Sequence, residues 1–269
     1  MKKKTNYLLL IVMVLSFGIG IFALGHLVQS YLEYKKGSDT YDDLQNYVEE
    51  PDDGNNSNPD KNPEKPEAQG ELTDEFSYLQ VDFRGLKEIN ADVIAWVQIP
   101  VLDISYPVVQ GADNTFYLSH LFSGEKNING SIFVDYHNKP DFSDQNTIIY
   151  GHNMRNGSMF GTLSNYENRE VYQQNPYLYI YLPEYVLKYQ VFSCYAARPG
   201  SAAYTYTFPT AEDFDAFTNA IRNYAAYPTE VEIGKSDKIV TLSTCVSTQK
   251  NLRYLIHGKL VEKIGGNNK

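Results

Sequence analysis

The chain has 269 residues, with 33 acids against 23 bases and a net charge of −10, length enough for one large domain or two small ones. The acidity is local: Tyr31 to Glu75 holds 14 Asp/Glu and 4 Lys/Arg, and the remainder holds 19 of each. No basic stripe or nucleic-acid module is present, so no nucleic-acid partner is expected. Two cysteines do not make a disulfide framework, and without CxxC, HExxH or other metal-ligand spacing no metal or cofactor is expected.

Residues 1–6 carry Lys2, Lys3 and Lys4 and precede an apolar run from Tyr7 to about Val28. As a helix, at about 1.5 Å per residue, that run crosses a bilayer core. Residues 7–30 therefore read as a membrane anchor, with the lysines keeping the N-terminus cytoplasmic and the rest extracytoplasmic. The run is long for a signal-peptide core and lacks a clear small-x-small cleavage site. Residues 31–71 read as a flexible acidic linker, because the Pro, Asn and Asp/Glu-rich centre has almost nothing to bury, and the first part, YLEYKKGSDTYDDLQNYVEE, reads equally as a frayed helix continuing the span. A coil of that length spans about 35 Å.

The folded domain is expected over 72–264. Leu79, Phe83, Leu86 and Ile89 are spaced for a helix over Phe76 to Asn90, entered from Thr73 and Phe76. Short β-branched and Tyr-rich runs follow: VIAWVQI, ISYPVVQ, SIFVDY, NTIIYGH, YLYIYL, VLKYQVFSCYAA, EVEI, KIVTLSTC and RYLIHGKLVEKI. Turn residues separate them, so the fold class is mostly β, a barrel or sandwich of about eight strands. One late helix is expected, capped by Thr210 with Asp213 three residues on, and apolar at Phe214, Phe217, Ile221 and Tyr224.

The chemistry-bearing residues stand at strand ends. Cys245 closes the apolar run KIVTLSTC, a polar loop from Ser247 to Asn251 follows, and Arg253 opens the return strand. A thiol beside a fixed cation suits a reactive thiolate, and equally a half-buried structural cysteine next to a surface arginine. Cys194, inside VFSCYAA, reads as a small buried hydrophobe rather than a disulfide partner. A cysteine nucleophile needs a base or cationic partner. Of five histidines, His26 lies in the span, His257 within the last strand, and His120 and His137 in surface or loop contexts. His152 directly follows NTIIYG and so projects at a strand end, as Cys245 does.

TLSTC followed by an arginine on the next strand, with IIYGHNM upstream, resembles the sortase family, the cysteine transpeptidases of Gram-positive cell surfaces. WVQIP, YPVVQGADNTFYL, NGSIFVDY, GSMFGTL and the helix at Thr210–Tyr224 make the resemblance one to class B, over roughly Phe76 to Leu260. It implies a closed sortase-type barrel with an N-terminal helix and an inserted helix before the last strands. It implies Cys245 as nucleophile, His152 as general acid/base and Arg253 as electrostatic partner. Asn114, Leu118, Tyr150 and Ser243 match groove residues of the class, and Thr244 would support the oxyanion. Some class members carry an acid two residues after the cysteine; here Ser247 stands there, so no carboxylate orienter of the histidine is expected. The implied partners are surface proteins bearing an NPxT-like sorting signal, cleaved after Thr, and an amine of a peptidoglycan precursor. A pilin lysine is the alternative acceptor, and an anchored β-barrel adhesin is the non-enzymatic alternative.

Overall fold

A computed structural model describes residues 7–50, 78–246 and 248–265. The elements in chain order are α1 (Tyr7–Leu44), β1 (Val48–Glu49), β2 (Gln80–Val81), α2 (Phe83–Ile89), β3 (Val93–Ile99), β4 (Ile104–Val109), β5 (Ile132–Val134) and β6 (Asn146–Tyr150). They continue as α3 (Arg169–Gln174), β7 (Tyr177–Tyr181), β8 (Tyr185–Ala197), α4 (Ala211–Asn223), β9 (Ile239–Val246) and β10 (Gln249–Gly265). Eight strands close into a barrel in the order β10-β8-β7-β3-β4-β5-β6-β9, the last pairing back with β10. Two pairings are parallel, β4 with β5 and β6 with β9; the others are antiparallel. Strands covered on both faces read as continuous apolar runs, and β5 is buried at all three positions.

The mostly-β barrel expected from the strand pattern is the fold, with three departures. EVEI forms no strand, although Val231 is buried. Both β8 and β9 already have two neighbours each, so the closed ring offers no edge to a further strand. The helix expected from Phe76 is confined to α2, because Gln80 and Val81 pair with β1 and the Asp82 side chain then caps the turn by accepting from the Gly85 amide at 3.0 Å. Thr73 and Phe76 lie outside the described residues.

The third departure concerns the linker expected over 31–71. From Tyr31 onward α1 continues unbroken to Leu44, and a single 3-10 turn leads into β1. Tyr41 and Leu44 are buried in the main core, and Tyr34 and Tyr47 pack against it. Tyr34, Tyr41 and Leu44 recur at helical spacing on one side of α1, Tyr47 follows in the turn, and together they hold the helix on the barrel. Residues 51–77 of the expected linker lie outside the described residues.

Helix α4 carries the expected capping box: Thr210 accepts from the Asp213 amide and Asp213 accepts from the Thr210 amide. It buries Phe214, Phe217 and Ile221 against Phe192 of β8, Ile239 of β9 and Leu255 of β10. Tyr224, just past its end, is exposed.

Candidate active site

Three neighbouring strands bring the singled-out residues together. The parallel register of β6 and β9 sets Tyr150 opposite Ser243, and the Gly151 amide donates to the Ser243 carbonyl at 3.2 Å. His152 and Cys245 each lie two residues further along, at the same end of the barrel. The Asn153 side-chain amide ties the two ends, donating to the Cys245 carbonyl at 2.6 Å. On the other side of β9, Cys245 is the register partner of Arg253 in β10. All three side chains are half-buried. Both cysteines are free thiols. Cys194 is buried, which pushes its thiol up, and its Sγ lies 3.4 Å from the Tyr166 carbonyl.

The imidazole of His152 is held from behind. Its Nε2 lies 2.6 Å from the Leu118 carbonyl, at the end of the 3-10 turn Phe116–Leu118. A carbonyl oxygen only accepts, so Nε2 carries a hydrogen and Nδ1 is the nitrogen whose proton can come and go. Gly130 lies against the same ring at φ 55°; a Cβ there would meet His152 Cδ2 and the Leu118 carbonyl oxygen at 2.9 Å each. Only glycine fits both that backbone and that approach. Ser247, the expected position of a missing carboxylate, lies outside the described residues.

Beside these residues is a cavity of about 370 Å³ lined by Asn114, Leu118, Phe133, Tyr150, Tyr204 and Arg253 with the turn at Pro199 and Gly200. Three of the sequence-expected groove residues, Asn114, Leu118 and Tyr150, are therefore on its wall. Ser243 and Thr244 are not: each is 2% exposed, so neither side chain reaches a substrate directly. The Ser243 hydroxyl instead lies 2.8 Å from the Tyr204 hydroxyl. Thr244 Oγ1 is enclosed in the barrel wall.

Sequence reasoning missed two residues here. Asp135 directly follows β5 and is buried, accepting from Asn114 Nδ2, the Tyr150 hydroxyl and His137 Nδ1 at 2.8 Å each, and from the His137 amide at 3.0 Å. Burial pushes this carboxyl up, but those hydrogen bonds outweigh it and hold Asp135 below the usual range. Tyr150 is correspondingly pushed up, by burial first and then by the Asp135 charge, and stays a neutral donor. The run SIFVD ends an apolar strand as IIYGH does, and the same strand-end argument would have found it. Tyr204, in the connection between β8 and α4, is raised by burial and drawn down by Ser243 and Arg253, with Cys245 opposing. No periodicity in its surroundings points to it.

A mixed eight-stranded barrel with a thiol, an imidazole and a guanidinium gathered at one end of three adjacent strands, beside an open groove, defines an enzyme of the cysteine-transferase type. A sequence model of the sortase domain matches residues 97–261. Sortase B of Listeria monocytogenes is 36% identical over 197 residues, 72% of this chain and 77% of that protein. Sortase B of Bacillus anthracis in complex with AAEK1 superposes with a TM-score of 0.69 at 28% identity, over 86% of this chain and 99% of that one. The Staphylococcus aureus sortase B–substrate complex gives 0.63 at 28%, over 67% and 84%. The chain belongs to the sortase family, and it is a sortase B-type cysteine transpeptidase.

Proposed function

We propose that Cys245 is the nucleophile, His152 the general acid/base and Arg253 the electrostatic partner of a membrane-anchored transpeptidase that cleaves an NPxT-like sorting signal after Thr. The observation that carries this reading is the register: Cys245 stands opposite Arg253 on β10, and the adjoining strand β6 ends beside it at His152. The solved S. aureus sortase B–substrate complex supports a peptide substrate in the groove of this chain.

The Cys245 thiolate attacks the Thr carbonyl carbon, and Arg253, always cationic, stabilises the oxyanion or the peptide backbone beside it. As the C–N bond breaks, His152 as imidazolium gives its Nδ1 proton to the departing amine, leaving a thioester. The incoming amine loses a proton to the neutral imidazole, attacks the thioester and releases the thiolate. The thioester conserves the energy of the peptide bond, so no nucleotide is consumed. The acceptor is an amine of a cell-wall precursor. Helix α1, apolar over an 18-residue window of mean hydropathy 2.3, spans the membrane with Lys2–Lys4 inside and the barrel outside.

Mass spectrometry of the enzyme with a panel of sorting peptides tests the assignment. A thioester adduct on Cys245 that is absent in Cys245→Ala, and is discharged by the acceptor amine, is expected. Cleavage that persists in Cys245→Ala would overturn the nucleophile.

A further inference from the structure

The loop from Glu125 to Ser131 runs along α1 and is tied to it at three points. Lys36 pairs with Glu125, and the Asn127 side-chain amide donates to the Glu33 carbonyl at 3.0 Å. Asn129 lies over Gly37, where any larger residue would have to displace the Asn129 side chain. The Tyr41 hydroxyl donates to the Gly130 carbonyl at 2.5 Å. These ties fix the height of the loop on the helix.

The composition of the helix fixes its height in the bilayer. The apolar run ends at Val28, and Glu33 is five residues, about 7.5 Å, further along the axis. The polar layer outside the hydrocarbon is about 5–8 Å deep on each side. Asn127 therefore stands at the outer boundary of that layer, while Glu125, tied to Lys36, and Gly130, tied to Tyr41, stand about 12 and 20 Å past Val28, outside it. Its neighbour Ile128 is 41% exposed, and Phe116, on the adjoining turn, is 43% exposed. On the helix itself Tyr31 is exposed at the level where aromatic belts sit.

We infer that the barrel is held at the membrane surface, with the Asn127–Ile128 tip of this loop touching the outer edge of the lipid headgroup layer of the bilayer that α1 crosses. The inference rests on α1 being membrane-spanning. Leu118, whose carbonyl holds His152 and which lines the groove, is on the Phe116–Leu118 turn that adjoins this loop.

Tryptophan depth measurements on the full chain in phosphatidylcholine–phosphatidylglycerol vesicles test this. Trp96, the single native tryptophan, is 0% exposed and gives a constant background. Ile128→Trp reports the seat. Tyr224→Trp is the control: α4 covers β8, β9 and β10, while α1 lies against β4, four strands from β10 either way round the barrel. Quenching of Ile128→Trp by headgroup-level nitroxide lipid, at least twofold above that of Tyr224→Trp, is expected. Vesicle-bound protein in which Ile128→Trp is unquenched, or both positions are quenched alike, overturns the seat and leaves the anchor standing. Protein that does not float with the vesicles overturns the anchor and the seat together.

Discussion

Asp135 joins groove residues that are far apart in sequence. Asn114 and Tyr150, both on the cavity wall, donate to the same carboxylate oxygen, Oδ2, and His137 donates to the other. Hydrogen bonds to a charged acceptor contribute about 1.5–3 kcal/mol each. Asp135→Asn, which loses the charge and turns a donor toward donors, is expected to lower kcat/KM for a sorting peptide about tenfold, chiefly through KM. Steady-state kinetics checks the split; a loss in kcat alone would contradict a positioning role. The carboxyl is held below its ordinary value, so its contribution to stability is full above about pH 4 and is lost as pH falls through the lowered value. At this scale Cys245 and His152 were legible because each closes an apolar strand. Asp135 obeys the same rule, yet it sits in a sequence rich in polar turn residues that mask the rule. Arg253 does not open the return strand as expected: β10 begins at Gln249, inside the expected polar loop, and a register shift separates that start from Arg253.

Among the elements, β10 carries the most unusual burial. His257 is enclosed there, with Nδ1 2.9 Å from the Thr241 hydroxyl and Nε2 3.3 Å from the Tyr195 hydroxyl. Burial lowers it from 6.5 to about 3, so the folded chain keeps the ring neutral while the unfolded chain protonates it. Between those values the unfolded state binds more protons, so stability falls as pH drops below about 6.5, by up to about 1.4 kcal/mol per pH unit. Urea midpoints between pH 7 and 4 check this, and His257→Gln, which cannot titrate, is expected to flatten the slope. Strand order, unlike strand existence, was not legible: period-2 patterning reports which residues are half-buried and not which neighbour they pair with. EVEI satisfied the local pattern and failed because pairing is settled by the closed ring. The α4 capping box was legible because it is a contact within four residues.

On the scale of the molecule, α1 is one rigid element linking an apolar segment to the wall behind His152. Its distal half was hidden from composition. Averaged over 31–71 the sequence is acidic and poor in hydrophobes, while Tyr34, Tyr41 and Leu44 of α1, with Tyr47 of the turn after it, pack on the core and dock the helix. Gly37→Leu is expected to push the helix off Asn129; overpacking of this kind costs about 1–3 kcal/mol. In the full chain in detergent, Tm should fall by several degrees and kcat/KM with it, because Gly130, bonded to Tyr41, backs the His152 ring. An unchanged kcat/KM at a lowered Tm would show that helix and site are uncoupled.

The parallel pairing of β6 with β9 also sets an order in time. His152 and Cys245 are 93 residues apart, and β9 is held between β6 and β10, the strand that completes the ring. Contacts so distant along the chain form late, after the loops between them have closed. Cys245 and His152 therefore meet only once β9 has paired with β6 and β10 has closed the ring.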